Sequence, residues 1–170
     1  MKTLVLAMGN PILHDDGVGH RVVDVLEELL DGSGVALEKT TLAGLNLLDL
    51  LVGFDRVIIV DAIQTGGEPG QVYHLTPSDF VARHTFPHLH NIDFFRTLSL
   101  GKQLLPDLPE EVRVVAVEAG DITNFGEGFT PEVEKAVPVA IRCVLSILEE
   151  ERKNSGSREP APCSREERHP

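Results

Sequence analysis

The chain has 170 residues, 42% hydrophobic and 25% charged, which suits one globular domain with a proper core. Its formal net charge is −12, and residues 1–150 hold ten basic against 23 acidic residues. That acidity argues against nucleic acid or an anionic membrane as partner, and two cysteines are too few for a disulfide framework or a zinc finger.

The opening stretch, Thr3 to Gly19, organises the rest. Leu4-Val5-Leu6-Ala7 is a short apolar run closed by Gly9-Asn10-Pro11, the pattern of a strand buried on both faces. Asp15-Asp16 and two glycines follow, then a helix over residues 17–30 with Val18, Val22, Val25, Leu26 and Leu29 on one face. Strand, loop, carboxylates and helix in that order put Asp15 and Asp16 at the C-terminal edge of the first strand, where open α/β sheets hold ligands. The spacing of Gly9, Gly17 and Gly19 is not G-x-G-x-x-G, and paired aspartates would repel a pyrophosphate. The plain structural role for the doublet is helix capping, which needs one aspartate and not two.

Val35 to Glu38 reads as a second strand, residues 40–44 as a loop and Leu45 to Leu51 as a short apolar helix. Val57-Ile58-Ile59-Val60-Asp61 is the clearest strand, suited to a central parallel position and ending on a carboxylate. A turn-rich loop, QTGGEPG, leads to a strand over residues 71–75. The connection is too short for a crossover, so that strand is expected to be antiparallel. His84 to His90 reads as a histidine-bearing loop, followed by a helix carrying Ile92, Phe95 and Leu98. Val112 to Val117 is the last strand. Thr130 at the N-cap and Pro131 at the first position open a final helix, inside which Pro138 should cause a kink.

Residues 1–150 read as a single α/β domain and residues 151–170 as a disordered polar tail. Removing residues 155–170 is expected to leave the melting temperature and activity nearly unchanged, and a large drop on truncation would show that the tail packs. Neither a signal-peptide pattern nor a bilayer-length apolar run is visible, so a cytoplasmic protein is expected.

Three segments end in ligating groups near one sheet edge: Asp15 and Asp16, then Asp61, then His88 and His90. Two carboxylates and an imidazole form a set suited to a divalent ion such as nickel or zinc, with room for something else. Taken singly, each has a bland reading as a strand-end or surface residue. G-x-S-x-G and H-E-x-x-H are both absent, and nothing near Cys143 would lower its thiol pKa. Two carboxylates remain as a general acid and base for aspartyl-type chemistry.

With these residues laid out, the chain resembles the hydrogenase maturation proteases, the cytoplasmic endopeptidases that trim the large subunit of nickel–iron hydrogenases. Gly9-Asn10-Pro11-Ile12-Leu13-His14-Asp15-Asp16-Gly17-Val18-Gly19 is similar to the family's opening motif. Val60-Asp61-Ala62 with Pro69-Gly70 resembles its central strand and loop, and His90-Asn91 its histidine motif. Phe125-Gly126-Glu127-Gly128, with Thr130-Pro131-Glu132-Val133 and Ala136-Val137-Pro138, resembles its C-terminal signature.

The resemblance implies an α/β fold of three layers, a twisted, mostly parallel five-stranded sheet with helices on both faces. It implies that Asp16, Asp61 and His90 are the metal-binding and catalytic residues, with Asp15 and His88 as alternates. It further implies that the metal is nickel delivered within a hydrogenase large-subunit precursor, although another divalent ion can occupy the site. A monomer is expected, since the cleft must accept a protein tail. One position departs from the pattern. Many members carry an acidic residue before a Gly-Gly-Thr-like stretch after the second strand, and here Lys39 stands there. Two other functions compete: a non-enzymatic checkpoint that binds nickel-loaded precursor, and a small-molecule hydrolase on a similar scaffold.

Overall fold

Five strands form one sheet in the computed structural model, which describes residues 1–81 and 90–154. They are β1 (Thr3–Met8), β2 (Ala36–Thr40), β3 (Arg56–Ile63), β4 (Val72–Leu75) and β5 (Glu111–Glu118), in the order β2-β1-β3-β5-β4. Pairing is parallel except between β4 and β5, as the short β3–β4 connection requires. From β1 the chain crosses to β2 on one side, while β3 lies on the other. The strand order therefore reverses at β1 and β3, and a crevice opens at their C-terminal ends.

Side-chain alternation gives the sheet two apolar faces. Val5, Ala7, Ile58, Val60, Val115 and Val117 pack under α1 (Val18–Leu29) and α5 (Pro131–Asn154). Leu4, Leu6, Val57, Ile59, Val112 and Val114 pack on the other face, under α2 (Leu48–Leu51) and α4 (His90–Leu104). A short helix, α3 (Pro77–Val81), follows β4. Among the described residues no helix is long and apolar enough to cross a membrane.

Several boundaries differ from those read in the sequence. β3 continues two residues past Asp61, because Ala62 and Ile63 still pair with Val117 and Glu118 and Ile63 is buried. β2 extends through Lys39 and Thr40, which pair with Ala7 and Met8. The first helix is two elements, a 3-10 turn over His14–Gly17 and then α1, and a second 3-10 turn over Gly44–Leu47 precedes α2. His90 opens α4 and so belongs to a helix, not to the expected loop. α5 passes through Pro138 as one helix and reaches Asn154, four residues beyond the expected end of the domain at 150. Residues 82–89, which include all of the expected His84–His90 loop but His90, and the tail from 155 lie outside the described residues.

Arg56, at the start of β3, was not foreseen as a core residue. It is 1% exposed, and its Nη2 donates to the Ile147 carbonyl at 3.1 Å, tying the sheet to α5.

The start of α1 presses on the sheet at Gly19. A Cβ there would stand 2.4 Å from the Val60 carbonyl oxygen and 3.0 Å from that of Met8. Backbone oxygens cannot yield as a flexible side chain can. Gly19→Ala is therefore expected to destabilise the fold by roughly 2–3 kcal/mol, read as a lower denaturation midpoint with unchanged slope. An unchanged midpoint would show that α1 sits further from the strands.

Candidate active site

The 3-10 turn carrying Asp15 and Asp16 packs on β3, just beyond the C-terminal end of β1. Gly9 makes this reversal possible. Its φ is +117°, and a Cβ would fall 2.0 Å from the Asp16 carbonyl oxygen. The chain then folds back so that the Asn10 N–H donates to Asp16 Oδ2 at 2.7 Å. Asp16 is 9% exposed, at the rim of the crevice.

Asp61 lies one strand over. Ala7 pairs with Val60, so Asp61 stands beside the end of β1. It is 4% exposed, and its Oδ1 accepts the N–H of Ala62 at 2.8 Å. Alternation with Ile59 and Ile63 puts its side chain on the face covered by α4, whose first residue is His90. The side chain of His90 and all of His88 lie outside the described residues. Among the described residues no group of three or more His, Cys, Asp or Glu is arranged to hold a metal ion. The described part of the site is thus two buried carboxylates, Asp16 in the turn beyond β1 and Asp61 near the end of β3.

Asp15 does something else. It is fully buried, and neither aspartate caps α1, whose N-cap is Gly17 with no side-chain hydrogen bond. Asp15 Oδ2 accepts the N–H groups of Gly120 and Asp121 and the Thr130 hydroxyl, each at 2.9 Å. Its Oδ1 accepts the Thr130 N–H at 2.7 Å. One carboxylate thereby clasps the loop after β5 to the residue that opens α5. Backbone bonds seal the same junction: His14 N–H donates to the Gly126 carbonyl, and Gly126 N–H to that of Ile12. Gly126 leaves room for the His14 ring, whose Nε2 would lie 2.5 Å from a Cβ. This is why the opening motif and the Phe125–Gly128 stretch occur in one chain: each is the other's docking surface.

Asp121 stabilises the neighbouring turn. The Asn124 side-chain amide and the N–H groups of Thr123 and Asn124 hold its carboxyl well below the usual carboxylate range. With a depressed folded pKa, its contribution is fully present above the ordinary carboxylate range and is lost progressively as pH falls from that range to the lowered value.

Lys39 is turned away from the crevice. Its Nζ lies 2.6 Å from Asp24 and 2.9 Å from Glu27 of α1, and these partners raise its pKa. The positive charge at the departing position is thus matched on the α1 side of the sheet.

A fourth buried carboxylate, with no counterpart in the sequence reading, ends β5. Glu118 is 1% exposed and accepts four hydrogen bonds from the loop after β3, from the N–H groups of Thr65, Gly66 and Gly67 and from the Thr65 hydroxyl. The sequence held one signal for it: the successive N–H groups of a Thr-Gly-Gly turn call for an acceptor.

A family model described as "Hydrogenase maturation protease" matches residues 21–147. The Hydrogenase 2 maturation protease of Escherichia coli K12 is 30% identical over 161 residues, covering 88% of this chain and 92% of that protein. The hydrogenase expression/formation protein HupD of Rhizobium leguminosarum is 28% identical over 151 residues, covering 86% of this chain and 74% of that one. Among solved structures, the hydrogenase maturating endopeptidase HybD from E. coli superposes with a TM-score of 0.74 at 28% identity, covering 89% of this chain and 94% of that one. Matching sequence and matching fold lead to one conclusion: the chain belongs to the hydrogenase maturation proteases, a family of peptide-bond hydrolases.

Proposed function

We propose that the protein removes the C-terminal extension of a nickel–iron hydrogenase large-subunit precursor after nickel has been inserted. In this reading Asp16, Asp61 and His90 recognise the nickel, which arrives as part of the substrate. The observation that carries it is two buried carboxylates, Asp16 in the turn beyond β1 and Asp61 near the end of β3, at the edge where the sheet's order reverses, on a fold shared with maturation endopeptidases. Two carboxylates and an imidazole suit a borderline divalent ion. If the two carboxylates converge on one point they repel each other, and an arriving dication relieves that repulsion.

Peptide hydrolysis needs a proton removed from the attacking water and one delivered to the leaving nitrogen. A carboxylate of this pair is suited to the first task while ionised and to the second once protonated. The protein acts in this reading as a cytoplasmic monomer whose crevice admits a protein tail. Purified protein mixed with nickel-loaded precursor should release a C-terminal peptide, detectable as a loss of mass. A stable complex in which the precursor stays uncut would instead establish a checkpoint. Cleavage of generic peptides without any precursor would point to a less selective hydrolase.

A further inference from the structure

Glu118 stands on the same face of the sheet as Asp61. Asp61 pairs with Ala116 and Ile63 with Glu118, and alternation along β5 puts residues 112, 114, 116 and 118 on the α4 side. Glu118 is therefore one strand across and two residues further toward the crevice edge than Asp61. The loop beginning at Gln64 leaves β3 immediately beside it and folds over the carboxylate. Oε1 accepts the N–H of Thr65 at 2.6 Å, of Gly66 at 3.1 Å and of Gly67 at 3.2 Å. Oε2 accepts the Thr65 hydroxyl at 2.7 Å.

Three successive N–H groups converging on one oxygen form the kind of concave anion seat that elsewhere takes phosphate or a carboxylate ligand. Here the protein fills it with its own side chain. Beside the carboxylate, the tip of the loop is also pressed against β4. A Cβ on Gly67 would lie 2.5 Å from the Tyr73 hydroxyl and 3.3 Å from Glu118 Oε2. Tyr73 is itself held by donating to Gln71 Oε1 at 2.8 Å. At its other end the loop meets α5, where Gly70, with φ +85°, approaches the Glu132 carbonyl closely enough that a Cβ would stand 2.5 Å away. Both ends and the middle of a solvent-facing loop are thus fixed. A loop needed only to connect two strands does not require a buried charge to hold its tip.

We propose that Glu118 is a positioning residue for precursor binding. It holds Thr65–Gly67 as a rigid wall of the crevice next to Asp61, against which the precursor's extended segment lies. This rests on the function proposed above. Glu118 is too enclosed to touch substrate, so it acts through the loop and governs how tightly the precursor is held, not the bond-breaking step.

The test compares wild type with Glu118→Gln, which keeps shape and one acceptor oxygen but removes the charge. Precursor affinity, KM and kcat are measured with nickel-loaded precursor, together with amide exchange of residues 65–67 in the free protein. Glu118→Gln should raise KM about tenfold with kcat within about twofold, and should speed exchange at 65–67 while core strands stay protected. Glu118→Ala should do the same more strongly, and added formate, which can enter the vacated seat, should restore part of the affinity. Should the Glu118 variants fail to fold, Gly67→Ala displaces the same loop by crowding the Tyr73 hydroxyl and should show the same KM effect. Wild-type KM in a folded variant with loosened amides, or a fall in kcat with KM unchanged, would overturn the role of Glu118 and leave the proposed function standing. A wild-type protein that neither binds nor cuts the precursor would overturn both.

Discussion

Asp61→Asn is expected to abolish precursor processing, by at least about a thousandfold in kcat/KM, while the protein folds as before. The substitution keeps the side chain's shape and the oxygen that accepts from Ala62, so the strand is not disturbed. What it removes is the charge on which, in the proposed reading, both nickel recognition and proton transfer depend. Asp16→Asn should have the same effect, for Asp16 contributes one oxygen to the Asn10 N–H and its charge to the crevice rim. His90→Ala should likewise abolish processing, whereas His88→Ala should do much less. Circular dichroism and a melting curve establish the fold, and the mass of the large subunit reads the reaction. Full processing by Asp61→Asn would remove the site from the account, since Asp61 is the sole carboxylate of β3, the central strand beside β1. Full processing by His90→Ala with loss in His88→Ala would exchange the third residue and leave the carboxylates in place.

Asp15→Ala is expected to act on stability first. Read from sequence, its effect on processing should be much smaller than that of Asp16→Ala, and the structure gives the two aspartates different work. Truncation leaves the N–H groups of Gly120, Asp121 and Thr130 and the Thr130 hydroxyl without the acceptor they share. Orphaning buried donors of a charged acceptor costs about 3–5 kcal/mol after partial relaxation toward water. In a chain of this length that corresponds to a fall of roughly 10 °C in melting temperature. Measured well below that temperature, cleavage should persist at a reduced rate, because the carboxylates of the crevice remain. An unchanged melting temperature would mean that the clasp between the opening loop and α5 is dispensable. Complete inactivity in a well-folded Asp15→Ala protein would place Asp15 in the chemistry.

The difference between these neighbours shows what sequence could and could not tell. The central strands were legible because a strand buried on both faces needs an unbroken apolar run, and Leu4–Ala7 and Val57–Val60 are such runs. The antiparallel edge strand was legible because QTGGEPG is too short to cross the sheet. Asp61 stood out by following its run directly, and Asp16 by lying in an acidic doublet between the first strand's closing turn and the helix. Asp15 could not be separated from Asp16, because its partners lie more than a hundred residues away, where local pattern carries no information. Glu118 was missed for a related reason. A glutamate at a strand end looks like a solvent-facing terminus until the loop from a different strand is seen folded over it. Nothing local in the sequence marks Arg56 as a core residue, because the Ile147 carbonyl that receives it lies 91 residues away. Lys39 was flagged as a departure near the site, but its partners on α1 lie 12 and 15 residues earlier, and they turn it away.

The central claim is that cleavage waits for nickel held in the precursor and is carried out at the Asp16–Asp61 crevice. The most direct test presents the purified protein with the same large-subunit precursor in two states, nickel-loaded and nickel-free, and follows the intact mass of each over time. The account predicts that only the nickel-loaded precursor loses its C-terminal extension. Equal cleavage of the nickel-free precursor would contradict it, because the carboxylates would then have no metal to recognise.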